Sequence, residues 1–191
     1  MNKQVFKDYQ FILWLFSIMW LVEMINLLLG DKLNVLSIYP RVPEKLYGIA
    51  TMHFFHWNLT HILSNSLPLL FLGFLVSNLG KVRQVTLLII LLSGLMVWLF
   101  ARNGSHAGAS ALVIGYWAYL ISCAIFERSL KSILIAIVTA VIYGGIVFSL
   151  IDFRSSISFE GHMFGFISGI ISSWLWHGKI QYNHKNKRWC K

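Results

Sequence analysis

Charge is scarce in this sequence: 7 acidic residues and 16 lysines or arginines amount to 12% of it, while 57% of the chain is hydrophobic. A soluble domain needs far more polar surface to cover itself, so that class is excluded and the chain is expected in a membrane. Cysteine is nearly absent, with Cys123 inside an apolar run and Cys190 near the C-terminus. Both fall toward the reducing side of the topology derived below, which excludes a disulfide framework. Thiol chemistry also lacks support, because Cys123 lies near the inner end of its run with no histidine expected at that depth. Proline occurs three times; Pro40 and Pro43 interrupt one connection, and only Pro68 falls within an apolar run, which it is expected to kink. There is no repeat of fixed period and no low-complexity tract, so residues 1–177 read as one membrane domain and 178–191 as a basic cytoplasmic tail.

What the chain does contain is a series of apolar runs, at 11–29, 60–78, 83–100, 108–126, 132–151 and 159–176. Each approaches the ~20 residues that cross a bilayer as a helix, predicting an all-α bundle of six spans. The first run is too long for a signal peptide, and Asn26 to Asp31 offers no small-x-small cleavage site. A net charge of +9 would raise nucleic-acid binding in a soluble protein. Here the basic residues cluster between runs and act as topological signals instead. In a six-span arrangement all of them except Lys32, Arg41, Lys45, Arg102 and Arg154 fall on one side, which the positive-inside bias makes cytoplasmic, together with both termini. The longest connection, residues 30–59, is aromatic and amphipathic and is expected to lie in the outer interface, shielding the even-numbered spans.

Those even-numbered spans begin on the outer side, and each carries a reactive polar group near its start: His61 and Asn65, Ser110, and His162. Ionisable groups are costly in hydrocarbon, so several at one depth mark a site. Ser110 follows Gly108 and Ala109 just inside a helix start, where small neighbours leave room for a substrate backbone and free N–H groups can bind an oxyanion. His162 is the candidate base. Gly161, Gly165 and Gly169 form a seam that can meet Ala107, Ala111 and Gly115, bringing an imidazole to a serine hydroxyl. His61 and Asn65, four residues apart, share a helix face and can both donate to developing negative charge. His53, His56 and His61 raise the alternative of a metal site, but they do not share a face and lack the usual i, i+4 pair with a carboxylate.

Three motifs in this order, His56-x4-His61-x3-Asn65, Gly108-Ala109-Ser110 and His162-x2-Gly165-x3-Gly169, resemble the rhomboid family of intramembrane serine proteases. The resemblance implies a rhomboid-type bundle in the plasma membrane, with a cavity open to the outer face. It further implies Ser110 as nucleophile, His162 as general base and then acid, and His61, Asn65 and the Ser110 backbone N–H as oxyanion donors. Substrates would be single-span membrane proteins, cut within or beside their transmembrane segments through an acyl-enzyme. No cofactor, metal or nucleic acid is implied. The main rival is an inert rhomboid-like protein that binds client helices. Departures from the family pattern are Ala111 after the serine, Ile114 where an aromatic often stacks on the histidine, Pro40-Arg41 in place of a Trp-Arg pair, and no glutamate after Gly73.

Overall fold

Long apolar stretches wind into helices, and polar residues placed just before them cap the exposed N–H groups. The computed structural model describes residues 3–152 and 158–178, and among them every regular element is helical apart from an isolated bridge between Ile38 and His106. The elements are α1 (Lys3–Leu28), the single turn α2 (Gly48–Thr51), α3 (Leu59–Leu79), α4 (Val82–Phe100), α5 (Ser110–Phe126), α6 (Leu130–Tyr143) and α7 (Phe159–Ser173). Asn58 caps α3 by accepting from the His61 N–H at 2.9 Å. Ser129 and Ser132 form a reciprocal capping box at α6, and Ser158 caps α7 by accepting from the Gly161 N–H at 3.2 Å.

Among the described residues four helical stretches are long and apolar enough to cross a membrane: Lys3–Leu28, Leu59–Leu79, Val82–Phe100 and Leu130–Ile151. α5 and α7, with 17 and 15 residues, are shorter. The run expected at 132–151 is not one uniform helix, because α6 ends at Tyr143 and a 3-10 stretch continues over Gly144–Ile151. Gly144 and Gly145 weaken the α-helix there, and a Cβ at either would meet nothing, so packing does not require them. The run expected at 108–126 becomes helical only at Ser110, which is the first residue of α5. α3 runs through Pro68 as one continuous helical element.

α5 is the axis of the molecule. Every residue from Ala111 to Leu120 is buried, among them Tyr116 and Tyr119, with α3, α4, α6 and α7 packed around it. The expected glycine seam is present in part. A Cβ on Gly165 would overlap the Ala111 carbonyl and one on Gly169 the Gly115 carbonyl, so α5 and α7 touch backbone to backbone. Gly161 stands apart, its Cβ position facing only the side chain of Ser158, and Ala107 lies before the helix.

The long connection folds back over α4. Gly94 lets the Ile49 carbonyl approach α4 closely, and the Arg41 N–H donates to the Trp98 carbonyl at 2.9 Å while its guanidinium donates to the Ala101 carbonyl at 2.8 Å. Arg41 thereby satisfies carbonyls left open at the C-terminal end of α4. At the start of the connection, Asn26 accepts from the Leu33 N–H at 2.9 Å and donates to Asn34 at 3.0 Å. The segment reaches the site through Met52, His56 and Trp57. Residues 179–191, which hold most of the expected basic tail, lie outside the described residues.

Candidate active site

A cavity of about 870 Å³ opens where α3, α5, α7 and the 3-10 stretch converge. Ser110, His162, His61 and Asn65 all line it, and so does Ile114. The four side chains picked from spacing therefore meet in one place, although they come from three helices.

His162 is oriented by a group that no sequence pattern announces. Its Nδ1 lies 3.1 Å from the Ser149 carbonyl, and a carbonyl can only accept, so Nδ1 carries the proton. In the neutral ring the lone pair is then on Nε2. The break at Gly144 makes this possible, because the 3-10 stretch carries Ser149 to the base. Asp152 lies within electrostatic range of the same ring.

The start of α5 is held by backbone contacts from the long connection. The Gly108 N–H donates to the Met52 carbonyl at 2.9 Å, and the Ala109 N–H donates to His56 Nε2 at 3.2 Å. Ser110 follows as the first helical residue, where an N–H has no acceptor within its own helix. Because His56 Nε2 accepts, its ring is the neutral Nδ1–H tautomer. Burial, with the charge of His61 adding to it, pushes its pKa down to about 3, so this acceptor persists across the physiological range. The His56 and His61 rings meet edge to face with centroids 5.0 Å apart.

Gly108 fits this turn for two reasons. Its φ is +123°, and a Cβ would come within 2.6 Å of the His61 ring. His61 thus lies directly against the backbone that precedes Ser110. Asn65 is buried and donates to the His61 carbonyl at 3.0 Å, which leaves one amide proton for the cavity.

The three histidines weighed as metal ligands have separate uses. His53 Nε2 lies 3.3 Å from the Ile90 carbonyl, His56 holds α5, and His61 faces the cavity. Among the described residues no group of three His, Cys, Asp or Glu side chains is placed to hold a metal ion.

The expectation that no histidine reaches the depth of Cys123 is overturned. His177 is buried, with Nε2 2.9 Å from the Tyr119 hydroxyl and Nδ1 3.6 Å from Glu127. α7 continues into a π-helical turn, Trp174–Gly178, which carries the ring there. Cys123 itself is buried and accepts from the Ser173 hydroxyl at 3.4 Å.

The family model of the rhomboid domain matches residues 43–179, a stretch that takes in the cavity and every helix lining it. An uncharacterized protein of Mycobacterium tuberculosis is 34% identical over 170 residues, covering 83% of this chain and 71% of its own length. An uncharacterized protein of Mycobacterium leprae is 31% identical over 175 residues, covering 86% of this chain and 69% of its own. With its apolar helices and a domain match over most of its length, this chain is a membrane protein that belongs to the rhomboid family.

Proposed function

We propose that this protein is an intramembrane serine endopeptidase of six spans, with α1, α3, α4, α5, α6 with its 3-10 extension, and α7 crossing the bilayer. The charge bias places both termini in the cytoplasm and the cavity toward the outer face. At 1.5 Å per residue α5 is roughly 25 Å long, short of the ~30 Å hydrocarbon core, so its first residue would lie below the membrane surface. Water reaching Ser110 would come through the cavity, past His61, Asn65 and the other polar side chains that line it.

The observation that carries this reading is the His162 tautomer. With Nδ1–H committed to the Ser149 carbonyl, Nε2 is the ring atom free to take a proton in a cavity that also holds the Ser110 hydroxyl. Ser110 Oγ attacks the substrate carbonyl as its proton passes to Nε2, forming the C–O bond. The resulting oxyanion is met by His61, Asn65 and the Ser110 N–H. Nε2–H then protonates the departing amine and the C–N bond breaks, leaving an acyl-enzyme. Water, deprotonated by the same nitrogen, attacks the ester and regenerates the hydroxyl. The backbone carbonyl does for the ring what a carboxylate does in a triad, holding one tautomer and one orientation. Single-span membrane proteins whose helices unwind near the cavity are the proposed substrates.

The test is labelling of the purified protein by a fluorophosphonate. Modification mapped to Ser110, lost in Ser110→Ala and in His162→Ala, is the expected result. A folded wild-type protein that takes no label would instead be a client-binding member without hydrolytic activity.

A further inference from the structure

The glycine seam sets how far apart α5 and α7 lie along their packed length, and Ser110 and His162 lie beyond its outermost contact, between Gly165 and Ala111. At that outer end the turn before α5 grips the turn before α7. The His106 ring is buried, with Nε2 3.0 Å from the Arg102 carbonyl and Nδ1 2.6 Å from the Ser158 hydroxyl. Hydrogen polarity follows from the partners. Nε2 must donate to the carbonyl, so in the neutral ring Nδ1 accepts from Ser158 Oγ–H, and Ser158 Oγ in turn accepts from the Gly161 N–H at 3.2 Å. A second strut runs beside the first. Glu160 Oε1 lies 3.3 Å from Arg102 Nε and accepts from the Arg102 N–H at 3.3 Å, and the guanidinium lies over the Phe159 ring.

We propose that His106 is a positioning residue, clamping the turn that leads into Ser110 to the N-cap of the helix that carries His162, and so fixing the geometry of proton transfer. Both lever arms are short: Ser110 lies four residues after His106, and His162 four residues after Ser158. The clamp and the seam contact between Gly165 and Ala111 bracket the two reacting side chains from opposite sides. Both seam contacts, Gly165 on Ala111 and Gly169 on Gly115, lie on one side of the reacting residues, so the clamp is the contact that holds the two helices on the other side. A misplacement of about 1 Å between reacting groups can cost on the order of 100-fold in rate, so loss of the clamp should appear in the chemical step and not in binding.

The proposal rests on the serine-protease reading, and the experiment separates the two. Wild type, Ser110→Ala, His106→Ala, His106→Asn, His106→Gln, Ser158→Ala and the His106→Ala/Ser158→Ala double variant are reconstituted in liposomes. The rate of Ser110 acylation by a fluorophosphonate is resolved into a maximal rate and a half-saturating concentration. An asparagine amide occupies the place of Nδ1 and keeps the bond to Ser158, whereas glutamine reproduces only Nε2 and its bond to Arg102. The expected result is a maximal rate about tenfold or more lower in His106→Ala and His106→Gln, with half-saturation changed less than about twofold. His106→Asn should stay within about threefold of wild type, and the double variant should be no worse than His106→Ala. Amide hydrogen exchange at Gly161 and His162 should speed up in the alanine variant, and this readout needs no activity. Wild-type acylation in His106→Ala, or asparagine no better than glutamine, overturns the positioning role. If wild type takes no label, the protease reading and the positioning role fall together, and the exchange rates still report whether the two turns are joined.

Discussion

Replacing Gly165 by alanine would test how closely α7 must approach α5 for this site to work. A Cβ built at Gly165 falls 2.8 Å from the Ala111 carbonyl carbon, whereas carbon atoms rest at about 3.5–4.0 Å. The obstacle is backbone inside a buried helix, not the far end of a flexible side chain, so the helices must part by about 1 Å. Overpacking of this kind costs about 1–3 kcal/mol. Ala111 is the next residue after Ser110, and His162 lies one turn before Gly165 on the same face, so the displacement passes directly into the distance between hydroxyl and imidazole. A shift of that size should lower turnover on the order of 100-fold, well beyond the loss from partial unfolding at assay temperature. The assay is cleavage of a single-span reporter in liposomes against a Ser110→Ala baseline, with a thermal melt in detergent beside it. Wild-type turnover and an unchanged melt in Gly165→Ala would refute the reasoning, since the seam would then be slack.

His56→Ala leaves the buried Ala109 N–H without an acceptor, so stability should fall by about 1–3 kcal/mol and acylation of Ser110 should slow; unfolding midpoints and fluorophosphonate kinetics read the two effects. Stability should also depend on pH through His53 and His56, whose burial lowers their pKa to about 4 and about 3. Above the unfolded value of ~6.5 neither state binds these protons and stability is flat. As pH falls from there toward 4 the unfolded chain alone takes them up, costing about 1.4 kcal/mol per pH unit for each histidine; a melting temperature equal at pH 7.5 and pH 5 would contradict this. Ile114, 3% exposed, lines the cavity with His162. Ile114→Ala should lower turnover by loosening the space beside the base, whereas Ile114→Phe, offering a flat face to the imidazole, should preserve or raise it. A folded but inactive phenylalanine variant would show that this side chain does not adjoin the base.

Composition and spacing determined a good deal by themselves. Scarce charge and long apolar runs require helices in a membrane, because no other open structure satisfies its backbone there. The fourfold spacing of glycines marked Gly165 and Gly169 as places where a partner backbone comes close, and the i, i+4 relation put His61 and Asn65 on one face. Tertiary structure decided the rest, for a common reason: hydrogen bonds to main-chain atoms leave no residue-type signal. Any residue at position 149 has a carbonyl, so its bond to His162 was not legible, nor was the Met52 carbonyl that holds Gly108. His56 was visible as a histidine, but its use as an acceptor for the Ala109 N–H depends on how a long connection folds back. The 3-10 break after Tyr143 hides inside an apolar run whose hydropathy is that of a span. His177, the residue after the last apolar run, is a buried partner of Tyr119 because a π-helical turn carries it inward. Sequence could name the groups able to do chemistry, since chemistry needs particular side chains. Their orientation comes from backbone geometry, which only the folded chain fixes.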